Sequence, residues 1–86
     1  MDINLLISII KKKILRKIIV DSIVIEDKSF LHKNHPGNQV GKFHLKITIK
    51  SKELVQMNKI NSNKLIYKIL DEEMKQFIHS LQILIV

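Results

Sequence analysis

Apolar residues recur three and four apart at the start of the chain: Ile3, Leu6, Ile7, Ile10 and Ile14. That spacing lays one apolar stripe along a helix, with Asp2 as its cap. Lys11, Lys12, Lys13, Arg16 and Lys17 crowd the C-terminal half, where the helix dipole favours cations. A helix over about Asp2 to Lys17 is predicted. The period changes in IIVDSIVIED, where Ile23 and Ile25 alternate with Ser22, Val24 and Glu26, the β-branched pattern of a first strand. In KFHLKITIK the alternation is unbroken. Phe43, Leu45, Ile47 and Ile49 fall on one side, with Lys42, His44, Lys46, Thr48 and Lys50 on the other. One buried and one wet face mark an antiparallel strand of a one-sided sheet. From Ser51 to Asn61 the signal weakens, and Leu54, Val55, Met57 and Ile60 fit a short helix or turn. Leu65, Ile66, Ile69, Leu70, Met74 and Phe77 then predict a longer helix from Ser62, capped by Ser62 or Asn61. Leu81, Ile83 and Ile85, alternating with Gln82 and Leu84, predict a third strand.

The order α-β-β-α-α-β implies an α+β fold: a three-stranded mixed sheet with all helices on one face, because the second strand has one apolar side. With 86 residues and 45% apolar content, the chain suits one small domain over residues 1–86 with a single core. The expected flexible segment is Lys28 to Lys42, which contains the only proline and both glycines. The uncharged runs at Ile3 to Ile10 and Gln76 to Val86 are about half the ~20 residues a membrane span needs, so no membrane association is expected.

The net charge of +7 favours an anionic partner, whether nucleic acid, an acidic protein surface or anionic lipid. Fourteen of the fifteen basic residues are Lys, however, and Arg16 stands alone. Base readout leans on the bidentate arginine fork, so sequence-specific DNA recognition is disfavoured. The seventeen Ile and many Asn and Lys also fit a drift toward A/T-rich codons. The absence of cysteine excludes a disulfide framework, a thiolate zinc site and a cysteine nucleophile.

Four histidines remain as candidate chemistry. His32 and His35 lie in the loop and His79 immediately before the third predicted strand, a plausible gathering of imidazole ligands but without the carboxylate or sulfur of a closed zinc site. The competing reading is of exposed loop residues and a hydrogen-bonded boundary residue. His44 shares the parity of the lysines and reads as a solvated sheet residue. Asp71, Glu72 and Glu73 are consecutive on a helix and diverge, which suits a solvated face or partner contact. Tyr67 and Phe77 keep helical spacing with core positions and read as packing. Ser29, Ser51, Ser62 and Ser80 have no base at motif spacing, and no phosphate-cradling glycine loop is present. No self-sufficient enzyme is expected.

The element order and basic open face resemble a KH-like domain of the second type. RNA-binding KH domains clamp the backbone with a G-x-x-G loop, and the stretch from Ser51 to Gln76 contains no glycine. A closer resemblance is carried by DKSFLHKNH, KFHLKITIKS, KLIYKILDEEM and FIHSLQI, in that order. These stretches are similar to the BolA-like family, whose Asp-x-Ser followed by His, strand-opening aromatic, strand-ending Ser, Leu-x-Glu-Glu-Leu helix and late His fall on Asp27, Ser29, His32, Phe43, Ser51, Leu70, Glu72, Glu73, Met74 and His79. The resemblance covers about residues 20–85. The chain departs from the family's Arg-His-Arg at Ser62-Asn63-Lys64, from His-Phe at Lys42-Phe43 and from Phe-x-Gly at Leu54-Val55-Gln56. The first departure weakens a DNA or partner contact through the long helix.

The resemblance implies a non-enzymatic partner of a monothiol glutaredoxin, a monomer alone and a heterodimer in complex, acting in iron-sulfur trafficking or iron regulation. It implies a shared 2Fe-2S cluster. His79 would be one ligand and His35 or His32 the other, with the thiolates coming from glutaredoxin and glutathione. A chain lacking cysteine can supply only the imidazole half of such a Rieske-like division. The alternative is a DNA-binding transcriptional regulator using the helix-turn-helix segment between the second and third strands. A bacterial cytoplasmic location is expected, with a mitochondrion or other organelle as the alternative.

Overall fold

The computed structural model describes residues 1–29 and 42–86. Helix α1 spans Ile3–Lys17, and the Asp2 side chain accepts from the Asn4 amide at 2.9 Å, as a capping residue does. Strands β1 (Ser22–Asp27) and β2 (Phe43–Lys50) follow. Three helices, α2 (Lys52–Val55), α3 (Lys59–Ile69) and α4 (Asp71–Gln76), lead to strand β3 (Ile78–Ile85).

The sheet order is β1-β2-β3, with β2 antiparallel to β1 and parallel to β3. The parallel pair is what requires the helical crossover through α2, α3 and α4. Leu6, Ile10 and Ile14 of α1 form the predicted stripe and are fully buried. They join Ile25, Leu45, Ile47, Ile49, Leu54, Ile66, Leu70, Ile78 and Leu81 in one cluster. Because the apolar sides of all three strands and the buried residues of α1, α2 and α3 belong to that cluster, the helices share one face of the sheet. Among the described residues the other face, with Glu26, Lys46, Thr48, Gln82 and Leu84, carries no helix.

The structure moves the boundaries of the predicted long helix. Its cap is Asn58, whose side chain accepts from the Asn61 amide at 2.7 Å, rather than Asn61 or Ser62. Ser62 lies one turn inside, buried, its hydroxyl donating to the Lys59 carbonyl at 3.1 Å. A buried serine satisfied by its own helix leaves the same sequence trace as a capping serine. The helix is also broken at Leu70, whose φ of −99° and ψ of 21° end α3 and begin α4. Leu70 is fully buried, so the break keeps an apolar anchor in the core.

Two other expectations change. Glu73 is not solvated: it is buried beneath α1 and receives Lys13 Nζ at 2.7 Å, with Glu72 at 3.5 Å on the rim. Tyr67 is 40% exposed, and its hydroxyl donates to the Leu81 carbonyl at 2.9 Å, so its link to β3 is polar as well as packed.

Candidate functional site

The site is built where β3 begins. Along β3 the core-facing residues are Ile78, Leu81, Ile83 and Ile85, so the step from 78 to 81 is three residues in a pattern otherwise stepping by two. The pairing with β2 shows why. Phe43 is opposite Ile78 and His44 is opposite Ser80, leaving His79 as the extra residue of a β-bulge. A bulge re-aims a side chain without breaking the sheet, and such irregularities concentrate near functional sites. His79 is exposed as a result. It is the second residue of β3 and not a residue ahead of it.

The neighbour of His79 is the histidine that parity assigned to solvent. His44 is only 5% exposed. Its Nδ1 lies 2.7 Å from Ser80 Oγ, an interaction in which donor and acceptor exchange with the imidazole tautomer. Its ring meets that of His79 edge to face, with centroids 4.8 Å apart and an interplanar angle of 66°. Alternation placed His44 on the helix-free face correctly. Among the described residues the bulge brings two consecutive β3 residues, His79 and Ser80, against it there.

The backbone around His44 is held from the other side by the end of β1. The Lys28 amide donates to the His44 carbonyl at 2.7 Å, and the His44 amide donates to Ser29 Oγ at 3.1 Å. Asp27 Oδ1 in turn accepts from the Ser29 amide at 2.9 Å. The Asp-x-Ser motif is therefore a local turn whose serine fastens β1 to β2 beside the histidine pair. Phe43, at the start of β2, donates its amide to the Phe77 carbonyl at 2.8 Å. Ser29 and Lys42 are the described residues flanking segment 30–41, and both are next to residues of this junction. His32 and His35 fall within that segment and lie outside the described residues.

Ser51, the strand-ending serine of the motif set, has a different role. It is buried, its hydroxyl donates to the Ile19 carbonyl at 2.7 Å, and its oxygen accepts from the Leu54 amide at 3.2 Å. One side chain thus caps α2 and ties it to the connection after α1.

The matched signature also has a sequence-wide counterpart. The family model described as BolA-like protein matches residues 14–86. The chain belongs to the BolA-like family. Solved BolA structures superpose on this BolA-like chain. With the BolA domain of SufE1 from Arabidopsis thaliana the TM-score is 0.75 at 26% identity, covering 91% of this chain and 86% of that one. With BolA1 from Arabidopsis thaliana it is 0.75 at 28% identity, with the same coverages of 91% and 86%. A Bol-like protein from Babesia bovis shares the fold, with a TM-score of 0.69 at 14% identity over 92% of this chain and 80% of that chain. No curated protein matches the BolA-like chain in sequence.

Of the histidines read as ligands, the structure thus displays His79 and adds His44, which sequence reasoning had set aside. Among the described residues no three His, Asp or Glu side chains gather closely enough to hold a metal ion. A metal centre on His79 would need donors from segment 30–41 or from another molecule. The segment between β2 and β3 does begin with a helix pair, α2 and α3, ahead of α4, but α2 is only four residues long. One helical turn is a short brace for a DNA-reading helix behind it, and Lys59, Lys64 and Lys68 offer α3 point charges without an arginine fork.

Proposed function

We propose that this BolA-like chain is a non-enzymatic partner of a monothiol glutaredoxin, with which it shares a bridging 2Fe-2S cluster in iron-sulfur trafficking or iron regulation. The observation that carries the reading is the bulge at His79. It sets an exposed imidazole, buttressed by a second ring, on the sheet face that the helices leave uncovered. An accessible imidazole fits the role of one ligand to iron. The chain has no cysteine, so sulfur donors come from the partner and from glutathione. The second ligand from this chain is His35 or His32. Both belong to a segment whose flanking residues, Ser29 and Lys42, border the histidine pair.

His79 supplies a nitrogen lone pair and the surrounding turn supplies a fixed scaffold. Ser29, through the His44 amide, keeps the mouth of the site at one register. Imidazole ligation leaves a cluster more labile than four-thiolate ligation does, which suits transfer or sensing. The test is reconstitution of the two proteins with iron, sulfide and glutathione, followed by visible circular dichroism of wild type and His79→Ala. Wild type gives a heterocomplex spectrum distinct from that of the glutaredoxin homodimer, and His79→Ala loses it. An unchanged spectrum in the variant refutes the ligand assignment.

A further inference from the structure

The histidine beside the proposed ligand is buried, hydrogen-bonded and unaccounted for by the ligand set. We propose that His44 and Ser80 form a cross-strand latch that holds the His79 ring in its ligating orientation. The inference rests on the proposed role of His79.

A residue at a bulge is left out of the regular ladder, so its side chain takes its direction from whatever packs on it. For His79 one such body is the His44 imidazole, edge to face at 4.8 Å. The His44 ring is itself restrained. Its Nδ1 is 2.7 Å from Ser80 Oγ, and its backbone is bonded on both sides, to Ser29 Oγ and from the Lys28 amide. Ser80 is the residue directly after His79. The contacts therefore close a circuit: the residue following the bulge grips the ring that supports the bulged residue. A lysine at position 44, the residue type found at 42, 46 and 50 on that side of β2, has no flat ring to set against His79 and close it.

In metal centres the groups that orient ligand imidazoles matter nearly as much as the ligands. Their loss typically costs about 10–100-fold in affinity or activity. Here the orienting group is a ring contact rather than a hydrogen bond to the ligand, so an effect near the lower bound is expected. In this reading His44 is a positioning residue and touches no metal. The competing account is that His44 and Ser80 simply fill the sheet, which would change stability alone.

The experiment uses the full chain as Ser80→Ala, Ser80→Thr and His44→Phe. It measures the His79 ring resonances of the isolated protein by NMR, thermal melting, and cluster release to a chelator from the glutaredoxin complex by visible circular dichroism. In Ser80→Ala the His79 resonances shift and release accelerates about tenfold. Ser80→Thr, which keeps the hydroxyl, restores both. His44→Phe keeps an aromatic edge but loses the nitrogen, and it follows Ser80→Ala. Wild-type release from Ser80→Ala and His44→Phe overturns the latch, even if both melt at lower temperature, because packing is then their whole role. If His79→Ala itself retains the heterocomplex spectrum, the ligand reading falls and the latch with it. That result is separate from wild-type release in the latch variants when His79→Ala abolishes the spectrum.

Discussion

At the scale of single residues, side chains with several bonds explain the motif better than composition does. Ser51 satisfies the Ile19 carbonyl and the Leu54 amide with one buried hydroxyl. Truncation leaves a carbonyl and an amide unpaired where each needs a partner. Ser51→Ala is therefore expected to destabilise the fold by about 2 kcal/mol, a capping loss that leaves the buried Leu54 amide unpaired plus a lost bond to the Ile19 carbonyl. Urea unfolding checks this, and Ser51→Thr should recover part of the loss. Asp27 and Ser29 behave similarly at the entrance to segment 30–41. The Asp27 bond is local, the Ser29 bond reaches across to β2, and their joint consequence is the placement of the His44 backbone. The identities of these serines and of His79 were legible in the sequence as motif positions. The partners were not, because each bond joins residues 15 to 36 positions apart, except for Ser51 to Leu54 and Asp27 to Ser29.

At the scale of elements, periodicity located α1, β1, β2 and the Leu81–Ile85 part of β3 because each buries one regular face. Where the burial is irregular, periodicity ran on too far. Ile66, Leu70, Met74 and Phe77 keep helical spacing across the junction of α3 and α4, so the break at Leu70 left no trace in the pattern. The acidic run 71–73 has a comparable ambiguity. All three carboxylates suit the first turn of a helix, and only the approach of α1 decides that Glu73 turns inward to Lys13. This tie makes a pH prediction. The hydrogen bond that Lys13 donates to Glu73, chiefly, raises the Lys13 pKa above its ordinary value of 10.5, against the opposing cost of burial. A raised folded-state value means that the proton is held more tightly in the native protein. The contribution of the pair is then complete below about pH 10.5 and is lost as the pH climbs through the folded-state value. Alkaline titration of stability should accordingly fall more steeply in wild type than in Lys13→Met. At neutral pH Lys13→Met is itself less stable by roughly 1–3 kcal/mol, because Glu73 Oε2 loses its partner while Oε1 already has none among the described residues.

At the scale of the whole molecule, the fold separates two surfaces. The helices cover one side of a three-stranded sheet, and the other side carries the histidine pair at one end with Glu26, Lys46 and Gln82 beyond it. A partner that meets His79 must approach over this helix-free face. The net charge of +7 favours an acidic surface there, and association driven by it weakens as salt screens the charges. Light scattering of an equimolar mixture with glutaredoxin should show the monomer replaced by a heterodimer, with a dissociation constant that rises with salt. Duplex DNA provides the contrasting measurement. Binding that vanishes with salt and ignores base sequence is attraction to phosphate rather than regulation.

The sequence by itself determined the first helix, the three strands, the helical character of the crossover and the family. A three-to-four spacing, a two-step alternation and an ordered set of short motifs are local properties, and local properties are written one residue after another. It also determined that any sulfur at the site comes from elsewhere, since the chain contains none in a cysteine. Even the bulge had a trace, the three-residue step from Ile78 to Leu81, though this becomes meaningful only once β3 is registered against β2. Tertiary structure alone decided the environment of His44. Its parity with Lys42, Lys46 and Lys50 was read correctly, yet it is buried, and a parallel neighbour, reached through a three-helix crossover, carries one residue too many at that point and sets two side chains against it. Burial depends on what another part of the chain brings alongside, and no alternation within β2 encodes it.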